Sequence, residues 1–338
     1  MGARRLDDIA WYVDQSALDR GEPGLRHSFV ASLATALDYI DPGLDPTWLM
    51  GSSAFAFRIF VNEVFCPSAM SIFDWSAILP ASVEQAGFCC RYISRLWHEA
   101  DVEEARRSDA HSAIVQAIDR GVPAVVWDVA DAEWGLIVGY DDAARSYATL
   151  TCRGESSILP FARLGRNGID ILSVAIPGER NGRQRQEVVR GSLRAAVGHA
   201  EQREWMDRPS YQDGPAAFDL WALLHQRWAL IVERGRPERL PDDLPRFARF
   251  YAGHHYAARC YARDYLRAVA DGDDHLIEAA AVFSDVAASL RPVWECGYRT
   301  LELGVEILDS LAEAIRDAGL AERRGIELIR LHLAEPSS

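Results

Sequence analysis

At 338 residues, 49% apolar and 25% charged, the chain is long enough for two compact units and lacks the bias of a disordered or fibrous protein. Its net charge of -14 argues against a nucleic-acid partner and against an anionic membrane surface. All 36 basic residues are arginine, which excludes Schiff-base chemistry on a lysine.

The opening stretch, MGARRLDDIAWYVD, has no apolar core of a secretion signal, and no later run reaches the ~20 apolar residues that span a bilayer. A cytoplasmic location is the expectation, with the six cysteines as reduced thiols, since none forms a CxxC pair. Next comes GLRHSFVASLATALDYI, which predicts a helix over 27–40 whose N-terminus presents His27 and Ser28. In TWLMGSSAFAFRIF, Gly51, Ser52 and Ser53 separate a short helix from an alternating apolar run. Such a turn offers backbone amides to a carboxylate or phosphate, with Arg58 adding charge, or is an ordinary loop.

Helices are predicted over 77–87 and 103–119. Strands follow over 124–129, 135–140, 146–152 and 170–176, rich in β-branched and aromatic residues and separated by Gly or Asp-Asp turns. Helices first and consecutive strands after them make an α+β pattern with an antiparallel sheet. The polar PGERNGRQRQE, from Pro177, reads as the boundary between domains at 1–179 and 180–338. Beyond it about five helices are predicted. One starts at Gly214-Pro215 with Phe218, Trp221, Leu224, Trp228 and Val232 on one face. The next carries Tyr251 and His254 on its apolar stripe, with His255 facing elsewhere. A third is capped by Asp273 or Asp274, a fourth opens at Pro292, and a short fifth closes the chain. HExxH, P-loop and GxGxxG sequences do not occur, so no metal and no cofactor is expected.

From Ala31-Ser32-Leu33 onward, SFVASLATALDYI resembles the helix of the double-glycine leader peptidases and their papain-like relatives, which opens Cys-Gly-Pro-Ala-Ser-Leu-Ala. The amino-terminal domain of the butirosin-biosynthesis acyltransferase family is similar, with His-Cys where this chain has His27-Ser28. A second landmark, a strand that begins with the catalytic histidine and ends Gly-Tyr-Asp, is matched by EWGLIVGYDD, with Glu133 in the histidine's seat. Across residues 8–178 the resemblance implies a papain-like domain followed by an all-helical one. It puts Ser28 in the place of the cysteine and Glu22 in that of the oxyanion glutamine. Thr151-Cys152 falls near the third catalytic position, and Trp134 lines the cleft.

These replacements remove the thiol mechanism. A cysteine at a helix N-terminus becomes a thiolate beside an imidazolium, whereas a serine must hand its proton to a positioned base. Glu22 would repel an oxyanion that a neutral donor stabilises. Two functions remain open. One is a degenerate domain that binds a peptide, amino-sugar or acyl-type metabolite in the former cleft. The other is an acyltransferase, or an amide or ester hydrolase, that uses Ser28 with His27 or Glu133, with an acyl carrier as a possible partner. Each residue also has a plain role: Ser28 as the helix cap, His27 as a solvated loop side chain, Glu133 as a surface charge. Asp128, which interrupts VVWDV, faces either the cleft or solvent.

Overall fold

The computed structural model describes residues 2–204 and 209–335. It is a mixed α+β structure with two compact units that interleave along the chain. The first holds the segment up to Asp14, Leu25–Leu49 and Trp75–Gln184. The second holds Gln15–Gly24, Met50–Asp74 and everything from Arg185. The sequence reading places one linear boundary at 179/180; in the structure 15–24 and 50–74 group with the helical half, through contacts distant in sequence.

The first unit is built on a seven-stranded antiparallel sheet. Its order is Phe88–Arg95, Leu172–Arg180, Ala124–Trp127, Trp134–Asp141, Ser146–Leu150 and Ser156–Pro160, with Ala3–Arg5 also paired to Trp134–Asp141. Alternation along the central hairpin sorts its side chains. Ala124, Val126 and Ile137 join Ile114, Ala117 and Ile118 of the Glu103–Asp119 helix in one core. Val125, Trp127, Trp134 and Leu136 are therefore left for the opposite face, and against the hairpin packs the Ser28–Ile40 helix. This helix is apolar on every side, with Phe29 to Leu37 all buried, so its orientation is set by packing all round. Gly135 is required where it stands: a Cβ there would lie 2.5 Å from the Leu150 carbonyl oxygen.

The sheet differs from the sequence reading at two strands. Ser156–Pro160 lies outside the expected strands, and Leu172–Arg180, paired with Phe88–Arg95, runs through Pro177 into the segment expected to be a linker. Its ladder partners hold that polar end in the sheet.

The second unit carries the helices Arg185–Ala200, Pro215–Glu233, Leu244–Val269, Asp274–Glu295 and Val305–Ala334, with a short ribbon of Phe60–Asn62 and Tyr211–Asp213. Asp273 caps the fourth of these, accepting from the Leu276 amide at 2.9 Å. Pro292 opens no helix; it lies near the end of Asp274–Glu295, where buried Leu290 and Val293 hold the last turns in place. The final helix is 30 residues long. Its glycines serve as close-packing points: a Cβ on Gly319 would meet Phe218 at 2.7 Å, and one on Gly325 would meet Phe283 at 2.8 Å. His255, expected off the apolar stripe, is the deeply buried histidine, and His254 is half-buried. The helix is covered on several sides, which widens the stripe past His254. Among the described residues no helix is long and apolar enough to cross a membrane.

Candidate functional site

In the sheet-bearing unit, the N-terminus of the Ser28–Ile40 helix meets the start of the Trp134–Asp141 strand. The Ser28 hydroxyl donates to Glu133 Oε2 at 2.5 Å and accepts from the Trp134 backbone N–H at 3.3 Å. That length is typical of a hydroxyl on an ionised carboxylate. Residues 105 positions apart are thus brought into one proton-sharing contact. Burial pushes the Glu133 carboxyl up from its ordinary value; the Ser28 bond opposes this, and the nearby Asp131 charge adds to it.

Ser28 is not the helix cap. That place belongs to His27, whose extended backbone and Nδ1, accepting from the Phe29 amide at 3.3 Å, close the first turn. An N-cap side chain must sit just outside the first helical residue, and Ser28 is that first residue, so its hydroxyl is available to the strand. Cys152 lies within electrostatic reach of the same group. Burial, with the charges of Glu133 and Asp131, pushes its thiol up to about 11, so it is protonated at neutral pH.

Behind this contact stands an aromatic wall whose other members the sequence reading missed. Trp127 and Trp134 face each other in the ladder. Trp75 packs on both with ring centroids 5.0 Å away, and Phe29 meets Trp134 edge-on at 5.1 Å. The indole N–H groups of Trp127 and Trp134 are buried without a hydrogen-bond acceptor. The symmetry of WDVADAEW carries the signal, because tryptophans at the two ends of a hairpin connection must pair across it.

Asp128 faces neither cleft nor solvent. At φ 58° it turns the chain out of its strand, its Oδ2 accepts from the Gly168 and Ile169 amides at 2.6 and 2.7 Å, and its own N–H donates to the Glu133 carbonyl at 2.9 Å. It is a clasp that fixes the connection carrying Glu133. Left-handed backbone in a non-glycine residue needs such support.

The remaining expected site residues belong to the helical unit. The Glu22 carboxylate is held by Arg20 at 2.7 Å and Arg263 at 2.8 Å. Gly51 and Ser52 end the Pro46–Ser52 helix instead of forming an anion-binding turn, and a Cβ on Gly51 would overlap the Tyr265 ring. Arg58 is committed to Glu204 through two nitrogens, at 2.9 and 3.0 Å, and to the Ser53 carbonyl at 2.8 Å. The Ser53 hydroxyl donates to the Met50 carbonyl at 3.4 Å. These contacts account for glycine and arginine there without a ligand.

Among the described residues no group of three or more His, Cys, Asp or Glu side chains is placed to hold a metal ion. Ser28, Glu133, Trp134 and Cys152 come together; Glu22, Gly51, Ser52, Ser53 and Arg58 serve a different unit. Compared with known proteins, the chain matches no protein-family model and no curated sequence.

Proposed function

We propose that the sheet-bearing unit is a papain-like domain, akin to the double-glycine leader peptidases and the butirosin acyltransferase, which binds a peptide, amino-sugar or acyl-type metabolite without thiol chemistry. The observation that carries this reading is the Ser28–Glu133 contact. The two positions that the resemblance assigns to the catalytic cysteine and histidine meet at a helix N-terminus and a strand start, as a nucleophile and base would. Neither has kept its chemistry. A thiolate–imidazolium pair holds a preformed nucleophile, whereas this pair holds a hydroxyl and a carboxylate sharing one proton. Cys152, the thiol beside it, is held in its unreactive form. A hydroxyl, a carboxylate and indole faces are the elements of a binding site for a polar ligand with an apolar body.

The 2.5 Å separation also favours a second reading, acyl transfer from Ser28 with Glu133 as general base, since a half-buried carboxylate with a raised pKa is a better proton acceptor near neutrality. Intact-mass measurement after exposure to an activated acyl ester separates the two. The binding reading expects the wild-type mass unchanged, and a stoichiometric adduct on Ser28 sinks it. Ser28→Cys combined with Glu133→His restores a pair able to form a thiolate, and that variant is expected to acquire a slow burst.

A further inference from the structure

The sheet of the first unit has two edges, and they are finished differently. Proteins guard an edge strand with charge, bulges or cover, because its outward amides and carbonyls are a template for another strand. At Phe88–Arg95 the guards are present: a register shift between Phe88 and Cys90, the Arg91–Asp109 ion pair at 2.8 Å, and the helix Trp75–Gln85 packed alongside. Ser156–Pro160, the other edge, has the sequence SSILP, without a charge or a bulge. Among the described residues, only its neighbour Ser146–Leu150 packs extensively against it.

The outward groups of this edge follow from its ladder. The Thr151 N–H donates to the Glu155 carbonyl and the Phe161 N–H to the Arg145 carbonyl, both at 2.9 Å. Alternation therefore turns the backbone groups of Ser157 and Leu159 inward as well, and leaves the N–H and C=O of Ser156 and Ile158, with the Pro160 carbonyl, facing away from the sheet. Ile158 is 71% exposed, more than any other large apolar side chain among the described residues. The next residues in its cross-strand row are Ala148 and Gly139, too small to cover it.

We infer that Ser156–Pro160 pairs antiparallel with the same strand of a second copy of the chain, across a two-fold axis at Ile158. In this register the two Ile158 residues exchange both backbone hydrogen bonds, and each Ser156 N–H donates to the Pro160 carbonyl of the other copy. The Ile158 side chains lie side by side and supply each other with the apolar neighbour that Ala148 cannot. Pro160 has no N–H, which ends the ladder after these four bonds. Charge selects a second copy over an unrelated strand. Glu155 precedes the strand and Arg163 follows it; both are exposed, and neither forms an ion pair among the described residues. Antiparallel pairing brings the leading end of each copy to the trailing end of the other, so each carboxylate approaches an opposite charge. A strand of 5 residues buries less than the ~1,200 Å² of a standard interface, so the dimer is expected to dissociate on dilution.

Sedimentation equilibrium of the full chain over a roughly hundredfold range of concentration tests this, with the average mass expected to rise from one chain towards two. Ile158→Lys sets two like charges against each other at the axis and is expected to stay monomeric throughout; the position is exposed, so the fold tolerates the change. Ser156→Pro removes an outward N–H that the chain's own ladder does not use, and is expected to raise the dissociation constant about tenfold or more. Circular dichroism checks that both variants are folded. A wild type that is monomeric over the whole range overturns the proposal, as does a dimer that Ile158→Lys forms equally well. Dimerisation lost in Ile158→Lys but unchanged in Ser156→Pro shows an apolar contact without strand pairing, and overturns it too.

Discussion

Three carboxylates of one unit and two of the other are held in different ways. In the helical unit Glu22, Glu204 and Glu322 each face arginine: Arg20 and Arg263, Arg58, and Arg259. The sheet-bearing unit answers Glu133 with a serine hydroxyl and Asp128 with two amides, and gives neither a positive charge. A carboxylate clamped by arginine is chemically finished, because its lone pairs and its charge are matched. One held by a hydroxyl and burdened by burial keeps a proton affinity that a ligand can use. The arginine-matched pairs maintain shape in both units, Glu103 with Arg107 among them, whereas Glu133 and Asp128, like buried Asp213 of the helical unit, are left without a counter-charge.

The sharpest way to break the comparison is at Arg259–Glu322, where Nη2–Oε1 is 2.5 Å, Nε–Oε2 is 2.7 Å and both side chains are buried. Arg259 also donates to the Arg58 carbonyl at 2.7 Å. Glu322→Ala strands a buried guanidinium and is expected to cost about 3–5 kcal/mol in denaturant unfolding. Replacing both partners together with methionine and leucine is expected to recover much of that loss. A single variant no less stable than wild type would show that the pair is not a lock.

Acid should then separate the units. His225 is fully buried, its Nδ1–H donating to the Trp221 carbonyl at 3.0 Å and its Nε2 accepting from the Tyr298 hydroxyl at 2.8 Å. Burial lowers it to about 4, although the bond to Trp221 opposes the shift. A histidine depressed in the folded state contributes stability that is present above its unfolded value near 6.5 and is lost as the pH falls towards 4. Across that window the helical unit is expected to lose ~3 kcal/mol from His225, and His255, lowered by burial as well, acts in the same direction. Glu133 has the reverse sign. Its raised value favours folding below its ordinary range near 4.5, and this contribution is lost as the pH rises through the folded value. Hydrogen exchange resolved by segment should therefore show the helices Pro215–Glu233 and Leu244–Val269 loosening on acidification before the central hairpin of the sheet does. Equal loosening of both would contradict the contrast.

Residue order shows the strands behind this contrast but not the ion pairs that make it, since Glu22 and Arg58 read as ligand-binding residues. The hairpin strands announced themselves through β-branched and aromatic runs, and the Ser28–Glu133 meeting followed from a resemblance at two short motifs. Other features depend on what packs from a distance. The packing role of Gly319 and Gly325 has no local signal, because no pattern nearby tells that phenylalanine rings press on them. Pro292 looked like a start because a proline that ends a helix and one tolerated near its last turn have the same neighbours. Arg58 looked available until Glu204, 146 residues away, took its charge. The Trp75 contact with the hairpin was invisible for the same reason, since Trp75 lies far from both of its partners in sequence.

The smallest expected effects lie at the helix start, where they distinguish the cap from the site. Ser28→Ala leaves half-buried Glu133 without its donor and is expected to fall at the lower end of the about 1–3 kcal/mol that losing a buried partner costs. His27→Ala removes only the cap, a single bond of 3.3 Å from the Phe29 amide, and should cost about 1 kcal/mol or less. Asparagine is a better cap than histidine because its short side-chain oxygen reaches the first-turn amides with little strain, so His27→Asn is expected to be neutral or slightly stabilising. The two positions should also differ in ligand binding, where Ser28→Ala weakens it and His27→Asn leaves it unchanged. Equal loss of binding in the two variants would place His27 in the site and reduce Ser28 to a neighbour of it.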